Sequence, residues 1–331
     1  MVSTDFKQLF KNFASVKIGV IGDVMLDTYW WGQVDRISPE APVPIVRVDR
    51  KEQRIGGAAN VALNLATLAA PVTIFSVLGR DEDGDILTGL LKEQRISTDY
   101  LINSDSRITT NKMRVIGRNQ QMMRLDSETI QPIREKEEQK LIDQVEKYIV
   151  EQSPKAIIFE DYNKGVLTDK VISSVISLCK RYSVIIAVDP KRKHFFQYKE
   201  VDIFKPNLKE AREALNLLRD ETDLQFLREI HLKLRQQLLH HISFITLSEK
   251  GVFYDDDQLH AIVPSYIRNV ADVSGAGDTV IAVATLIYSL TKDVKLMAEV
   301  ANLAGGLVCE SVGTVAIDKQ QLLTECERLL I

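Results

Sequence analysis

Short apolar runs rich in β-branched residues alternate along the chain with longer stretches whose apolar positions recur every three or four residues. The runs at 16–21, 72–77, 156–159, 184–188, 203–204 and 243–247 show no polar alternation, as expected of strands covered on both faces. Helical spacing predicts helices over 58–68, 86–93, 136–150, 169–181 and 208–216. In one of them Leu141, Val145, Tyr148 and Ile149 form a single stripe that packs on a sheet. The last third reads as helices over 277–290, 294–309 and 318–330, and Phe6, Leu9, Phe10 and Phe13 predict an amphipathic N-terminal helix docked on the body. Strands and helices in this alternation predict an α/β fold with a mostly parallel central sheet.

Two stretches depart from the rhythm. Residues 29–48 and 98–125 alternate polar and apolar positions without an attached helix, so they are expected to pair into a small β lid over the site. No repeat or low-complexity linker divides the chain, and one domain is expected over 1–331.

Composition narrows the functional classes. With 42 Lys+Arg against 46 Asp+Glu the net charge is −4, which leaves no basic excess for a nucleic-acid backbone. Hydrophobic residues at 45% and charged residues at 27% exclude a disordered chain. No apolar stretch reaches the ~20 residues of a membrane-spanning helix, so a cytoplasmic protein without a membrane partner is expected. Cys179, Cys309 and Cys326 have neither disulfide nor metal spacing and are expected as buried apolar side chains. The five histidines likewise lack metal-ligand spacing and are expected on the surface or in loops. No P-loop, G-x-G-x-x-G or H-E-x-x-H motif is present.

Three segments can carry chemistry. Asp272-Val273-Ser274-Gly275-Ala276-Gly277-Asp278 leads into an apolar helix. Its glycines allow a tight turn that exposes amides at the positive end of the helix, an anion hole with the Asp278 carboxylate beside it as a candidate general base. Gly56-Gly57-Ala58-Ala59-Asn60 opens another helix, where the glycines admit a ligand close to the backbone and Asn60 can hold hydroxyls; Asn64 lies one turn further on the same face. Gly22-Asp23-Val24-Met25-Leu26-Asp27 follows the first strand, where a carboxylate can take two hydroxyls of a sugar. Glu160-Asp161-Tyr162-Asn163-Lys164-Gly165, Asp189-Pro190-Lys191 and Pro206-Asn207-Leu208-Lys209-Glu210 follow other strands; their lysines can neutralise phosphate, and Asn or Glu can order magnesium through water.

Gly56-Gly57-x-x-Asn60 combined with Asp272-x-x-Gly275-Ala276-Gly277-Asp278, in that order on an α/β pattern, resembles the ribokinase-like (PfkB) family of sugar kinases. The resemblance implies a three-layer α/β/α fold with a small β lid, ATP and Mg²⁺ as cofactors, and a homodimer formed through the lid; a monovalent cation stays open. It implies Asp278 as catalytic base and Gly275, Ala276 and Gly277 as the anion hole. It also implies Asn207, Glu210, Ser248, Glu249, Gly251 and Asn302 as nucleotide-binding, with Glu210 meeting the metal through water. Lys164 and Lys191 are assigned to the nucleotide side, and Asp27, Gly56, Gly57 and Asn60 to the sugar.

Within the family, Arg36-Ile37-Ser38-Pro39-Glu40-Ala41-Pro42-Val43-Pro44, Arg118-Asn119-Gln120-Gln121, Arg124-Leu125-Asp126 and Asp161-Tyr162-x-Lys164-Gly165 are most similar to the D-glycero-D-manno-heptose 7-phosphate kinases of lipopolysaccharide-core biosynthesis. The implied reaction phosphorylates O1 to give the 1,7-bisphosphate. Such a substrate needs cations away from the reacting end, and Lys112, Arg114, Arg118 and Arg124 on the lid strands are expected to include that anchor. Ser274 replaces the family's commoner Thr, and Met25 stands where ribose kinases carry a polar residue. The chain lacks the H-x-G-H signature of a cytidylyltransferase half, so only the kinase step is implied. Another phosphosugar or ketose kinase, and a sugar-binding regulator without turnover, are the alternatives.

Overall fold

The structure, a computed structural model, describes residues 4–117, 120–219, 221–266 and 268–330. Seven parallel strands make most of a nine-stranded sheet: β1 (Ile18–Gly22), β4 (Val72–Gly79), β5 (Leu101–Ser104), β8 (Ala156–Glu160), β9 (Ile185–Asp189), β10 (Ile203–Phe204) and β11 (Ile242–Thr246). An antiparallel hairpin, β12 (Val252–Asp255) and β13 (His260–Val263), extends one edge. The order is β13-β12-β11-β10-β9-β8-β1-β4-β5, so the chain winds outward in opposite directions from β1. Ligands of such sheets sit at the carboxyl ends of the strands beside that reversal.

Strand residues serve two cores in alternation. Ile18, Val20, Ile74 and Ile158 pack with α1 (Phe6–Asn12), α2 (Ala58–Thr67), α3 (Glu82–Glu93), α8 (Ala276–Thr291), α9 (Val294–Val308) and α10 (Lys319–Leu329). Ile21, Phe75, Ile157 and Phe159 pack on the other face with α4 (Glu135–Gln152), α5 (Asp169–Arg181), α6 (Leu208–Ala214) and α7 (Leu224–Leu238). The result is the three-layer α/β/α arrangement. No helix among the described residues is long and apolar enough to cross a membrane.

A second sheet of four strands stands apart, in the order β3-β2-β6-β7. Its long strands β2 (Val24–Ile37) and β3 (Pro44–Gly57) form an antiparallel hairpin, β6 (Thr110–Gly117) pairs with β2 in parallel, and β7 (Gln120–Ser127) returns along β6. The hairpin extends beyond the expected 29–48 at both ends, to Val24 beside β1 and to Gly57 at the start of α2. The expected excursion at 98–125 divides: Leu101–Ser104 joins the main sheet beside β4, and only the later part enters the small sheet. Three elements absent from the predicted pattern are α7 and the β12–β13 hairpin.

The histidine expectation is corrected. His194, His231 and His240 are buried, because each has a hydrogen-bond partner inside: Asp161 for His194, and Ser243 for the other two. Burial beside His231 and Arg235 pushes His240 down to about 3, so it is neutral. Cys179 and Cys326 are buried as expected, while Cys309 is only half-buried at the end of α9.

Candidate active site

Gly275 caps α8 with φ of 79°, a left-handed conformation that glycine adopts without strain. The turn brings Asp278 into the first turn of the helix, 4% exposed. Asn60 Nδ2 donates to Asp278 Oδ2 at 2.7 Å, and the Tyr162 hydroxyl donates to Oδ1 at 2.7 Å. Burial pushes the Asp278 carboxyl up to about 6, with Asp189 adding to the rise while Asn60, Tyr162 and Lys205 oppose it. A carboxylate in that range ionises near neutrality and still has useful basicity, which suits general-base work.

The two halves of the sequence meet through α2 and α8. Asn64 Oδ1 accepts from the Thr279 hydroxyl at 2.9 Å and from Ile317 N at 3.0 Å, while its amide donates to Asn60 O at 2.8 Å. Ala58, Ala59, Ala62, Ala282 and Ala284 are fully buried, and such small side chains let the two helices approach. Asp272 fixes the turn before α8 by accepting from Ser274 N and Gly313 N, each at 2.9 Å.

On one side of Asp278 lie charges at the ends of β8, β9 and β10. Lys205 Nζ is 2.6 Å from Asp189 Oδ2, and both residues are buried. A Cβ on Gly277 would lie 3.7 Å from each of those two atoms, so the pair adjoins the predicted anion hole. Lys191 Nζ reaches Glu210 Oε1 at 2.6 Å, and although burial opposes it, Asp189 and Glu210 hold the ammonium above its ordinary value. Asn207 caps α6, bonding Glu210 N at 2.8 Å while Glu210 Oε2 accepts Asn207 N at 2.9 Å. Burial, then Asp189 and Asp278, raises Glu160 well above the usual carboxylate range, and its Oε2 is buried without a hydrogen-bond partner.

Ser248 and Glu249 form an exposed turn closed by Gly251 at φ of 99°, where a Cβ would strike Val263 O at 2.0 Å. The Ser265 hydroxyl donates to Glu249 O, and Asn302 Nδ2 on α9 donates to Pro264 O at 2.9 Å. These residues therefore line one segment, 248–251 against 264–265 and α9.

The small sheet supplies the opposite side. Asp27 Oδ1 takes the Arg114 guanidinium at 2.6 Å and Oδ2 accepts from Thr314 Oγ1 at 3.3 Å. A Cβ on Gly56 would lie 2.4 Å from Asp27 Oδ2 and displace that carboxylate; Gly57 at φ of 61° turns the chain into α2. Tyr29 is sandwiched between Arg54 and Arg114, at 4.9 and 5.2 Å from its ring centroid. Strand register sets Arg124 opposite Arg114 and Asp126 opposite Lys112, on the face that carries Asp27 and Tyr29. Thr314 also lies 3.0 Å from where a Gly275 Cβ would stand, so contact is continuous from Arg114 through Asp27 and Thr314 to the α8 turn.

Lys164 is paired at the edge of this sheet. Its Nζ pairs with Glu128 Oε2 at 2.7 Å, where Lys112 Nζ also approaches at 3.7 Å. Asn163 and Gly165 flank it with positive φ. Arg118 lies outside the described residues. Lys205, Asp189, Glu160 and Tyr162 belong to the site although the motif match assigns them no role; the signal for Lys205 is a charge ending the buried run Ile203-Phe204. His231, Asp255 and Asp257 form another cluster of metal-ligand type, but Arg228 and Arg235 already pair with its carboxylates.

Comparison with known proteins bears on the whole chain. Residues 16–321 match the pfkB family of carbohydrate kinases. A protein named D-beta-D-heptose 7-phosphate kinase from Bordetella bronchiseptica is 39% identical over 319 residues, 95% of this chain and 97% of that protein. Bifunctional protein HldE from Aliarcobacter butzleri is 42% identical over 299 residues, 89% of this chain but 61% of that protein. HldE of Sulfurimonas denitrificans is covered over 65% of its length, so the chain spans under two thirds of these bifunctional relatives. Among solved structures, Escherichia coli phosphofructokinase-2 in complex with potassium superposes with a TM-score of 0.77 at 19% identity, covering 95% of this chain and 100% of that one. Arabidopsis thaliana ribokinase complexed with ribose and ATP gives 0.72 at 16% identity, over 93% and 98%. With residues 16–321 matching that family and a relative of 39% identity covered over nearly its whole length, the chain belongs to the pfkB family of carbohydrate kinases.

Proposed function

We propose that this kinase transfers the γ-phosphoryl group of ATP to O1 of D-glycero-D-manno-heptose 7-phosphate. The observation that carries this reading is the pairing of two features in one continuous site. Buried Asp278 lies at a helix N-terminus, and a cation-bearing strand face with Lys112, Arg114 and Arg124 joins it through Asp27 and Thr314. A sugar that already carries a phosphate needs cations remote from the reacting hydroxyl, and this face supplies them. The near-full-length likeness to a protein named D-beta-D-heptose 7-phosphate kinase supports the particular sugar.

In the reaction the O1–H proton passes to the Asp278 carboxylate as the oxygen bonds to the γ-phosphorus and the bond to the ADP oxygen breaks. The amides of Gly275 and Gly277, at the positive end of α8, would meet the developing charge, whereas Ala276 N, expected to join them, donates to Val273 O at 3.3 Å. Lys191 and Lys205 supply cations on the phosphate side. Magnesium, when bound with ATP, would supply neutralisation of the phosphate charge. Glu210, held between Lys191 and Asn207 N, would meet it through water, and that donor set fits an indirectly held cation. A monovalent cation belongs to the same proposal, supported by the potassium complex of the phosphofructokinase relative. ATP chemistry of this kind is expected in the cytoplasm.

Self-association through the small sheet is also proposed. Register gathers Met113, Val115, Met123 and Leu125 on its other face, where Met123 and Leu125 are about half exposed. An apolar strand surface of that kind favours a second copy as its cover.

The test of the substrate is ATP turnover against a panel of heptose, hexose and pentose phosphates. Preference for the heptose by tenfold or more in kcat/KM is expected; equal turnover across the panel removes the heptose assignment and leaves the kinase. Replacing Lys112, Arg114, Arg118 and Arg124 together raises KM for the phosphosugar, and an unchanged KM removes the anchor.

A further inference from the structure

Both oxygens of Asp278 are occupied, one by Asn60 and one by the Tyr162 hydroxyl, each at 2.7 Å. Asn60 belongs to the glycine-led entrance of α2, whereas Tyr162 comes from the segment after β8 and has no role in the reading above. Three observations separate it from an incidental neighbour.

First, its backbone is tied down on both sides. Asp23, 2% exposed, accepts from Tyr162 N at 2.9 Å, Lys164 N at 3.0 Å and Val166 N at 3.0 Å. Asp161 in turn accepts from the Tyr198 hydroxyl at 2.8 Å and from Asn163 N at 2.8 Å. Second, burial beside Asp278 and Glu160 raises the Tyr162 phenol well above its ordinary value, so it remains a donor. Third, Lys191 Nζ stands 5.7 Å from the centroid of its ring, and Lys191 pairs with Glu210. One side chain thus touches the base with its hydroxyl and the phosphate-side cation with its face.

We propose that Tyr162 is the positioning residue of the base: its hydroxyl fixes the Asp278 carboxylate and favours its ionised form, and its ring couples that setting to the Lys191–Glu210 pair. The proposal rests on Asp278 being the general base. Tyr162 neither gains nor loses a proton in the reaction; the sugar proton ends on Asp278. The groups facing Asp278 are Asn60 from α2, Tyr162, Glu160 from β8, Asp189 from β9 and Lys205 after β10. A donor hydrogen bond favours the carboxylate over the acid, so its removal leaves burial and Asp189 less opposed and the base titrates higher.

The experiment is kcat/KM for the phosphosugar from pH 5 to 9, whose acid limb reports the free enzyme's base. Tyr162→Phe keeps the ring, so KM for ATP holds while the acid limb moves up by about one pH unit; the deficit is greatest in acid and narrows above pH 8. Tyr162→Leu, which also removes the ring, raises KM for ATP. An acid limb unmoved in a folded Tyr162→Phe protein, or a loss of equal size at every pH, overturns the proposal. If that variant does not fold, fluorotyrosine at position 162, a stronger donor of nearly the same shape, moves the limb down; no movement overturns it equally. Asp278→Asn is assayed alongside, because surviving turnover there defeats the assignment of the base itself and not the role of Tyr162.

Discussion

Asp278→Asn should stabilise the protein near neutral pH while abolishing most of its activity. The carboxyl rises from 3.8 to about 6 on folding, chiefly through burial. Between those values the folded state binds more protons than the unfolded chain, so stability is full below about pH 4 and falls as pH rises through about 6. At 1.36 kcal/mol per pH unit the carboxylate costs about 3 kcal/mol at pH 7.5. Asparagine escapes that cost but turns one amide toward Asn60 Nδ2, losing a hydrogen bond worth about 1 kcal/mol. The net gain is about 2 kcal/mol, or about 3 °C in Tm for a chain of this size. Removing the charge also relieves Glu160, which acts in the same direction. Thermal melts of both proteins from pH 4.5 to 8 read the difference directly. The variant should lead at pH 7.5 and lose its lead below about pH 5, while phosphoryl transfer falls about 10²- to 10⁴-fold. A Tm difference that does not change with pH, or a wild type that is the more stable at pH 7.5, refutes the reasoning.

Three further perturbations probe the frame around the base. Gly275→Ala adds a Cβ at φ of 79° and 2.8 Å from Asn60 Nδ2, so kcat should fall more than tenfold and unfolding free energy by about 1–3 kcal/mol; wild-type kcat would mean that the turn does not set the base. Lys205→Met leaves the buried Asp189 carboxylate unpaired and should cost about 3–5 kcal/mol in urea unfolding, with Lys205→Met/Asp189→Asn recovering most of it. Met123→Glu with Leu125→Glu should yield a monomer by light scattering if the apolar face of the small sheet holds two copies together, and an unchanged mass would put the interface elsewhere.

How far the sequence discloses this molecule depends on how local the cause is. Central strands are legible because burial on two faces removes polar residues, as in Ile157-Ile158-Phe159 of β8. Helix α7 is equally legible in Phe226, Leu227, Ile230, Leu234 and Leu238, although the predicted alternation did not include it. Strand β5 is not legible: Leu101-Ile102-Asn103-Ser104 is short and half polar because it lies at the sheet edge, and so it reads like part of the lid excursion. In the site, Gly275 and Asp278 can be found because turn and carboxylate are three residues apart. The Lys164–Glu128 pair is not legible, because the two residues lie on separate segments and no local pattern joins them. Lys205 is missed because one lysine after a strand resembles a solvated loop until Asp189 comes beside it from another strand.

The same distinction explains how the protein keeps a destabilising carboxylate in position. A carboxylate with its affinity for protons raised by burial works against the fold at neutral pH, so it must be held by contacts that do not depend on its charge. Those contacts are the Asn64 bonds to Thr279 and Ile317, the alanine-rich packing of α2 on α8, and the Asp272 cap of the turn. None of them touches the reacting atoms, and all of them join residues more than 200 positions apart or lock the turn itself. Asn64 is the informative member, because it bonds the neighbours of Asp278 and not Asp278. Asn64→Ala should therefore lower stability by about 1–3 kcal/mol in Asp278→Asn as well as in wild type. An effect confined to the wild type would mean that the charge, and not the helix packing, organises the site.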